Sequence, residues 1–327
     1  IKGIQAPKTA EVNQGHTCLK GRFAFQFYNH PDRLRDPLIK KNGEFEVVTW
    51  DEAYEFMTER LLQVKNTYGA DAIGCISSSR ACNEENYLMQ KMTRVALNTN
   101  NIDGCARVCH APTAYGMQKA FGTGAATNSV VDLEKTDCIF LFGANPTEAH
   151  PVTGAKIKQL FMQGVTSIVV DPVKTSLAKL ATYHLQLRPG TNVALLNMMG
   201  HYIVKEGAVK TDFIKKFTEQ YDTYHQHVMS LDMDELEELT GVSKALVKKA
   251  ALAYARSEGA MELHGLGVTE HFQGSKTVML LSNLAMMTGN IGRAGVGLNP
   301  LRGQNNVQGA ADMGVQPHQG AGYMDVN

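Results

Sequence analysis

TDCIFLFGANP, at residues 136–146, contains five apolar residues in a row that run straight into a turn. A strand with no polar face is buried on both sides, as in a parallel sheet covered by helices. The pattern repeats outward from this point. Downstream, GAKIKQLFMQG (154–164) has helical spacing, SIVVDP (167–172) and YHLQLRPG (183–190) read as strands, and NVALLNMMGHYIVKEG (192–207) as a helix. After a charged insert, VSKALVKKAALAYARS (242–257) is helical with Ser243 placed to cap it, and AMELHGLGV (260–268) is a further strand. Upstream, residues 44–48 read as a short strand and TWDEAYEFMTERLLQVKNTYG (49–69) as a helix, with Asp51 near its start and Gly69 past its end. DAIGCIS (71–77) and NEENYLMQKMTRVALN (83–98) supply another strand and helix. Such alternation predicts the α/β class, with doubly wound parallel-sheet domains. Residues 288–327 carry many glycines and little periodicity and predict no regular structure, although a ligand could order LRGQNN (301–306).

A chain of 327 residues exceeds the size at which one core usually keeps growing, so two domains are expected. Its apolar content of 43% and formal charge of zero give no pull toward nucleic acid. The most apolar run, TVMLLSNLAMM (277–287), is too short to cross a bilayer and contains Ser282 and Asn283. The six cysteines are spread along a long chain, which favours reduced thiols or metal ligands over a disulfide framework. Residues 1–12 show no secretory pattern, and a cytoplasmic setting is expected, with an upstream segment left open because the chain does not begin with Met.

Several stretches carry chemistry. CARVCHAP (105–112) puts three residues between its cysteines where covalent haem attachment needs two. Cys109 can be an inert buried thiol or a soft ligand for a transition metal, with His110 beside it as a core residue or a proton carrier. Zinc is a weaker alternative, since no CxxC or HxxxH supplies further ligands. Gly143 to Pro146 and Asp171 follow strands, where a doubly wound sheet binds its ligands. No G-x-G-x-x-G follows these strands, which disfavours a nicotinamide dinucleotide. Asp171 suits a base edge or a hydroxyl, or simply caps a helix. Thr191 and Asn192 open a helix, where an anion or an ordinary cap would serve equally well.

GHTCLKGRF (15–23), the long stretch 80–112 ending in CARVCHAP, FGANPTEAHP (142–151), LRPGTNVALLN (187–197), HGLGVTEHFQG (264–274) and NPLRGQNNVQGAADMG (299–314) together resemble the catalytic subunit of molybdenum- or tungsten-dependent formate dehydrogenases, in the molybdopterin oxidoreductase superfamily. The resemblance runs over nearly the whole chain. It implies a molybdenum or tungsten ion held by two pterin guanine dinucleotides with Cys109 as protein ligand, His110 as its catalytic neighbour and Arg302 binding formate, with electrons leaving through an Fe4S4 cluster. A guanidinium suits formate, which is little more than a carboxylate. By the same resemblance Cys18 is the last of four cluster cysteines, Lys20 lies between cluster and pterin, and Gln304 lies near the pterin. Gly143, Asn145, Asp171, Gly190, Thr191, Asn192, Gly265 and Gly267 would line one dinucleotide, with Arg80 and Asn83 as further contacts.

The implied organisation is a partial iron-sulfur domain at 1–30, an incomplete first α/β domain at 31–105 and 305–327, and a dinucleotide-binding second domain at 106–304. The remaining cluster cysteines and a C-terminal pterin domain are expected outside this chain. After VVDP the family often has Arg, whereas this chain has Val173 and Lys174. Expected partners are formate or carbon dioxide and an iron-sulfur or flavin subunit. Formylmethanofuran dehydrogenases share the Cys-His pair and are the nearer enzymatic rival, while periplasmic-type nitrate reductases resemble a Cys-Met sequence. A non-catalytic electron-transfer or scaffold subunit would have no need to keep Cys109, His110 and Arg302 together.

Overall fold

The computed structural model describes residues 1–11 and 13–326, which form two compact units: residues 1–106 with 304–327, and residues 107–303. In the first unit, strands β1 (Leu38–Lys41) and β2 (Glu44–Val47) form an antiparallel hairpin. Its turn is Asn42-Gly43, with φ of 49° and 93°, the left-handed pair that a tight hairpin demands. Helix Trp50–Tyr68 follows. It is capped by Thr49 rather than by Asp51: the Glu52 amide donates to Thr49 Oγ1 at 3.3 Å, and the Thr49 amide donates to the Glu52 carboxylate at 2.8 Å. Strands β3 (Cys75–Ser77) and β4 (Ile102–Gly104) pair in parallel, with helix Asn83–Lys91 between them in sequence. That helix does not continue to residue 98 as an α-helix, because Met92–Leu97 relaxes into a π-turn.

The second unit is built on five parallel strands in the order β7-β6-β5-β8-β9. These are β5 (Cys138–Phe142), β6 (Thr166–Val170), β7 (Tyr183–Leu185), β8 (Ala260–His264) and β9 (Gly297–Pro300). Period-two alternation divides the side chains of the apolar strands between two cores. Phe140, Phe142, Val170 and Leu185 face helices Asn192–Lys205, Lys244–Arg256 and Gly274–Met287. Ile139, Leu141, Val169, Met261 and Leu263 face the other way, onto helix Pro151–Met162. Each fully buried Phe or Leu stabilises the unit by about 1.5–3 kcal/mol relative to exposure. Helix Asn192–Lys205 is buried over most of its surface because helices Tyr221–Met229 and Met233–Thr240 of the charged insert pack on it together with helices Lys244–Arg256 and Gly274–Met287. Ser243 caps its helix as expected, accepting from the Leu246 amide at 3.4 Å.

Two further expectations need correction. Residues 288–327 do contain regular structure: β9 completes the sheet and helix Val307–Asp312 follows. Four residues are too few to declare a period. The strand also opens with Gly297 at φ +112°, where a Cβ would lie 2.2 Å from Thr127 Oγ1 and Asn128 Oδ1. The strand read at 260–268 stops at His264, and residues 266–269 form a helical turn instead. Gly265 and Gly267 allow that turn to pack directly on the turn after β5.

β8 carries Glu262 in its centre, opposite Phe140. The Tyr254 hydroxyl donates to this buried carboxyl group, whose pKa burial pushes up to about 8. No helix among the described residues is long and apolar enough to cross a membrane.

Candidate active site

The sheet order reverses at β5, whose neighbours β6 and β8 lead away in opposite directions. Beyond the carboxyl ends of such strands lies the crevice where α/β sheets bind ligands. Here the turns after β5 and β8 touch. Gly143 has φ +57°, and a Cβ on it would sit 2.6 Å from the Gly267 carbonyl carbon. A Cβ on Gly267 would sit 2.7 Å from the Gly143 Cα. The Gly267 amide donates to the Gly143 carbonyl at 2.9 Å, and the Gly265 amide donates to the Phe142 carbonyl at 3.2 Å.

Next to this contact is a cavity of about 340 Å³ lined by Gly143, Asn145, Asp171, Asn192, Gly267 and several apolar residues. Five of the residues assigned to the dinucleotide therefore share one cavity. The Asp171 carboxyl group has its pKa raised by partial burial, against the opposing pull of the Val173 amide that donates to it at 2.8 Å. Thr191 does not cap the helix it precedes. Its hydroxyl donates back to the Arg188 carbonyl at 2.7 Å, so no side chain caps the first turn. Asn192 Nδ2 donates to the Gly267 carbonyl at 3.0 Å and holds the helix end against the β8 turn. Gly190 lies in the preceding turn at φ +87°.

The second group of residues surrounds Arg302. Cys109, 3% exposed, ends the short helix Ala106–Cys109, and its carbonyl accepts from Thr269 Oγ1 at 2.6 Å. His110, 7% exposed, sits at the N-cap position of helix Ala111–Phe121. Arg302 follows β9: its Nη2 donates to the Gly124 carbonyl at 3.1 Å, and its own carbonyl accepts from His150 Nε2 at 2.6 Å. Burial and then the nearby Arg302 charge push the His110 pKa down to about 4. The same two causes, in the same order, take His264 down to about 3. His110, His150 and His264 each keep a buried Nδ1 with no hydrogen-bond partner among the described residues. The Arg302 guanidinium and the neutral rings of His110 and His264 thus gather beside the buried Cys109, where a small anion could be gripped and a proton received.

The remaining assigned residues belong to the other unit. Cys18 precedes helix Leu19–Phe23, and the Gly21 amide lowers its thiol pKa, with Lys20 helping. Arg80 lies in an exposed turn, where its amide donates to Ser78 Oγ at 3.2 Å. Asn83 accepts from Asn306 Nδ2 at 3.0 Å, and Gln304 is half-buried. Among the described residues, no three His, Cys, Asp or Glu side chains cluster as a metal site of their own.

Sequence reasoning missed Thr113, His150, His264 and Thr269. One signal was available for His264, a polar residue closing a short strand that runs into a Gly-x-Gly turn, HGLG (264–267).

Comparison with known proteins adds to this geometry. The description of the molybdopterin oxidoreductase family matches residues 33–322. The F420-dependent formate dehydrogenase 2 subunit alpha of Methanococcus maripaludis is 44% identical over 319 residues, which cover 98% of this chain and 47% of that protein. Formate dehydrogenase H of Escherichia coli is 42% identical over 323 residues, covering 97% and 45%. The chain spans about half the length of these curated relatives. Among solved structures, acetylene hydratase from Pelobacter acetylenicus superposes with a TM-score of 0.72 at 23% identity, covering 84% of this chain and 38% of that one; this likeness concerns the fold alone.

Proposed function

The chain belongs to the molybdopterin oxidoreductase family, and from that premise we propose that it is part of the catalytic subunit of a formate dehydrogenase. The reaction is formate to carbon dioxide, with release of one proton and two electrons. The observation that carries this reading is the gathering, within one unit, of a buried Cys109-His110 pair and the Arg302 guanidinium among neutral imidazoles. Likeness to formate dehydrogenase alpha subunits supports the choice of substrate.

The residues present fit the group the family is named for. The crevice offers a cavity, a helix start without a side-chain cap, and glycines where a Cβ would clash. Gly143, Asn145, Asp171, Gly190, Thr191, Asn192, Gly265 and Gly267 would hold one pterin guanine dinucleotide: the free amides of the helix start suit its phosphates and Asp171 its base or a hydroxyl. Arg80, Asn83 and Gln304 would complete the pterin contacts. When bound, a molybdenum or tungsten ion carried by two such pterins supplies the two-electron redox chemistry, with Cys109 as its protein ligand.

The chain's own residues do the rest. Arg302 fixes the orientation of the formate carboxylate through its planar fork of donors. His110 would receive the released proton: burial and the Arg302 charge keep its ring neutral in the metal-free chain, able to accept a proton as a weak base. Burial excludes water around the His110 ring. Cys18 would be one of four thiolates of an Fe4S4 cluster, with its thiol already biased toward the thiolate, and Lys20 would lie between cluster and pterin. Electrons would pass to an iron-sulfur or flavin subunit in the cytoplasm.

The test is metal analysis of the full-length enzyme together with dye-linked assays on formate and on nitrate. Formate-dependent dye reduction in proportion to bound molybdenum or tungsten is expected. Nitrate reduction with no formate oxidation at full metal loading would overturn the reading.

A further inference from the structure

We propose that His264 is a positioning residue that holds the formate-binding Arg302 in register with the Cys109-His110 pair; the proposal rests on the reading of the site given above. His264 closes β8, and its carbonyl accepts from the Leu301 amide at 2.8 Å. That bond carries the β8–β9 ladder past the last paired residue, Pro300, up to the residue before Arg302. Its ring Nε2 shares a hydrogen bond of 3.0 Å with Thr113 Oγ1, in the first turn of the helix that starts after His110. Five residues further on, Thr269 donates to the carbonyl of Cys109 itself. One short segment therefore fastens the Arg302 arm on one side and the Cys109-His110 arm on the other.

A buried strand end is filled at least cost by an apolar side chain. His264 is 1% exposed at the end of a fully buried strand in which Ala260, Met261 and Leu263 are apolar and Glu262 is paired with the Tyr254 hydroxyl. Burying an imidazole with one nitrogen unpaired costs free energy that a leucine would not incur. The ring is also neutral, so it links the two arms without adding charge beside Arg302. His264 has no assigned contact with substrate or cofactor, so its effect passes through Arg302 and Cys109. Misplacement of reacting groups by about 1 Å costs on the order of a hundredfold in rate.

The experiment compares His264→Leu, Thr113→Val, the double variant and His264→Gln in the full-length holoenzyme, with kinetics normalised to bound metal. Both single variants should lose ~10–100-fold in kcat while the KM for formate stays within about threefold, because Arg302 still binds the carboxylate but aims it poorly. The double variant should be no worse than the worse single one, since both remove the same link. The glutamine side chain reaches the same distance as Nε2 and should restore most of the rate. Melting temperatures of the metal-free proteins should show the same non-additivity. Thr113→Val is close to isosteric and keeps the test open if His264→Leu does not fold. Unchanged kcat per metal in Thr113→Val, additive losses, or losses explained entirely by lower metal content would overturn the proposal while wild-type formate turnover leaves the functional reading standing. A fully metallated wild type that does not oxidise formate would instead overturn both.

Discussion

Replacing Arg302 with lysine keeps the positive charge and removes the planar fork. The main chain at this position is anchored independently of the side chain, through the 2.6 Å bond from His150 to the Arg302 carbonyl and the Leu301 amide bond to β8. The substitution therefore acts on the head group alone. Lysine loses the guanidinium bond to the Gly124 carbonyl and, on the proposed reading, one arm of a bidentate grip on formate. A hydrogen bond to a charged group contributes about 1.5–3 kcal/mol, and poorer alignment adds to that, for a total of about 2–4 kcal/mol. This corresponds to a loss of roughly 30- to 1000-fold in kcat/KM, shared between a higher KM and a lower kcat. Steady-state formate oxidation over a wide concentration range, with metal quantified on the same preparation, reads the effect. Metal and pterin content should stay normal. An unchanged kcat/KM at full metal loading would remove Arg302 from the site, and a fall in metal content with unchanged turnover per metal would make it structural.

Gly143→Ala should lower the stability of the chain by about 2–5 kcal/mol, from left-handed strain of about 1–2 kcal/mol plus overpacking against Gly267 of about 1–3 kcal/mol. Thermal unfolding should report a drop of roughly 4–20 °C, and a melting point within a degree of wild type would refute the close approach. Gly190→Ala meets nothing within 4 Å and should show the conformational strain alone. The metal-free chain should also depend on pH in a defined way. His110 and His264, lowered to about 4 and 3 from 6.5, stay neutral in the fold while the unfolded chain takes up protons, so stability falls as pH drops below 6.5. Glu262 is raised from 4.5 to about 8, so its contribution is full below 4.5 and lost as pH rises through 8. Two histidines outweigh one carboxyl between pH 4.5 and 6.5, which puts the maximum near pH 6.5. Denaturation midpoints across pH 4.5–8.5 check this, and Glu262→Gln should flatten the alkaline side; an alkaline limb unchanged by that substitution would contradict the assignment.

The parallel sheet was legible in the sequence because strands buried on both faces, such as Cys138–Phe142, carry a physical signature that helices and loops rarely share. Short elements were not. β9 spans four residues and is defined by pairing with a strand that lies 36 positions earlier, a fact no local window contains. The β1–β2 hairpin leaves a signal in its Asn42-Gly43 turn, but β1 is only four residues long and too short to show a period. The candidate site residues divide in a similar way. Cys109, His110 and Arg302 lie in motifs distinctive enough to be recognised. His264 looks like an ordinary strand-end residue until the fold brings Thr113, 151 positions away, to its ring. Glu262 went unread for the same reason, because its meaning depends on Tyr254 being packed against β8.

The most direct test of the account is Cys109→Ser in the full-length enzyme. The exchange alters one buried atom, so the melting temperature should move little. If Cys109 is the protein ligand of the redox metal, formate-dependent dye reduction should fall to background while the protein stays folded and formate still binds through Arg302. Wild-type turnover per bound metal in that variant would contradict the central claim.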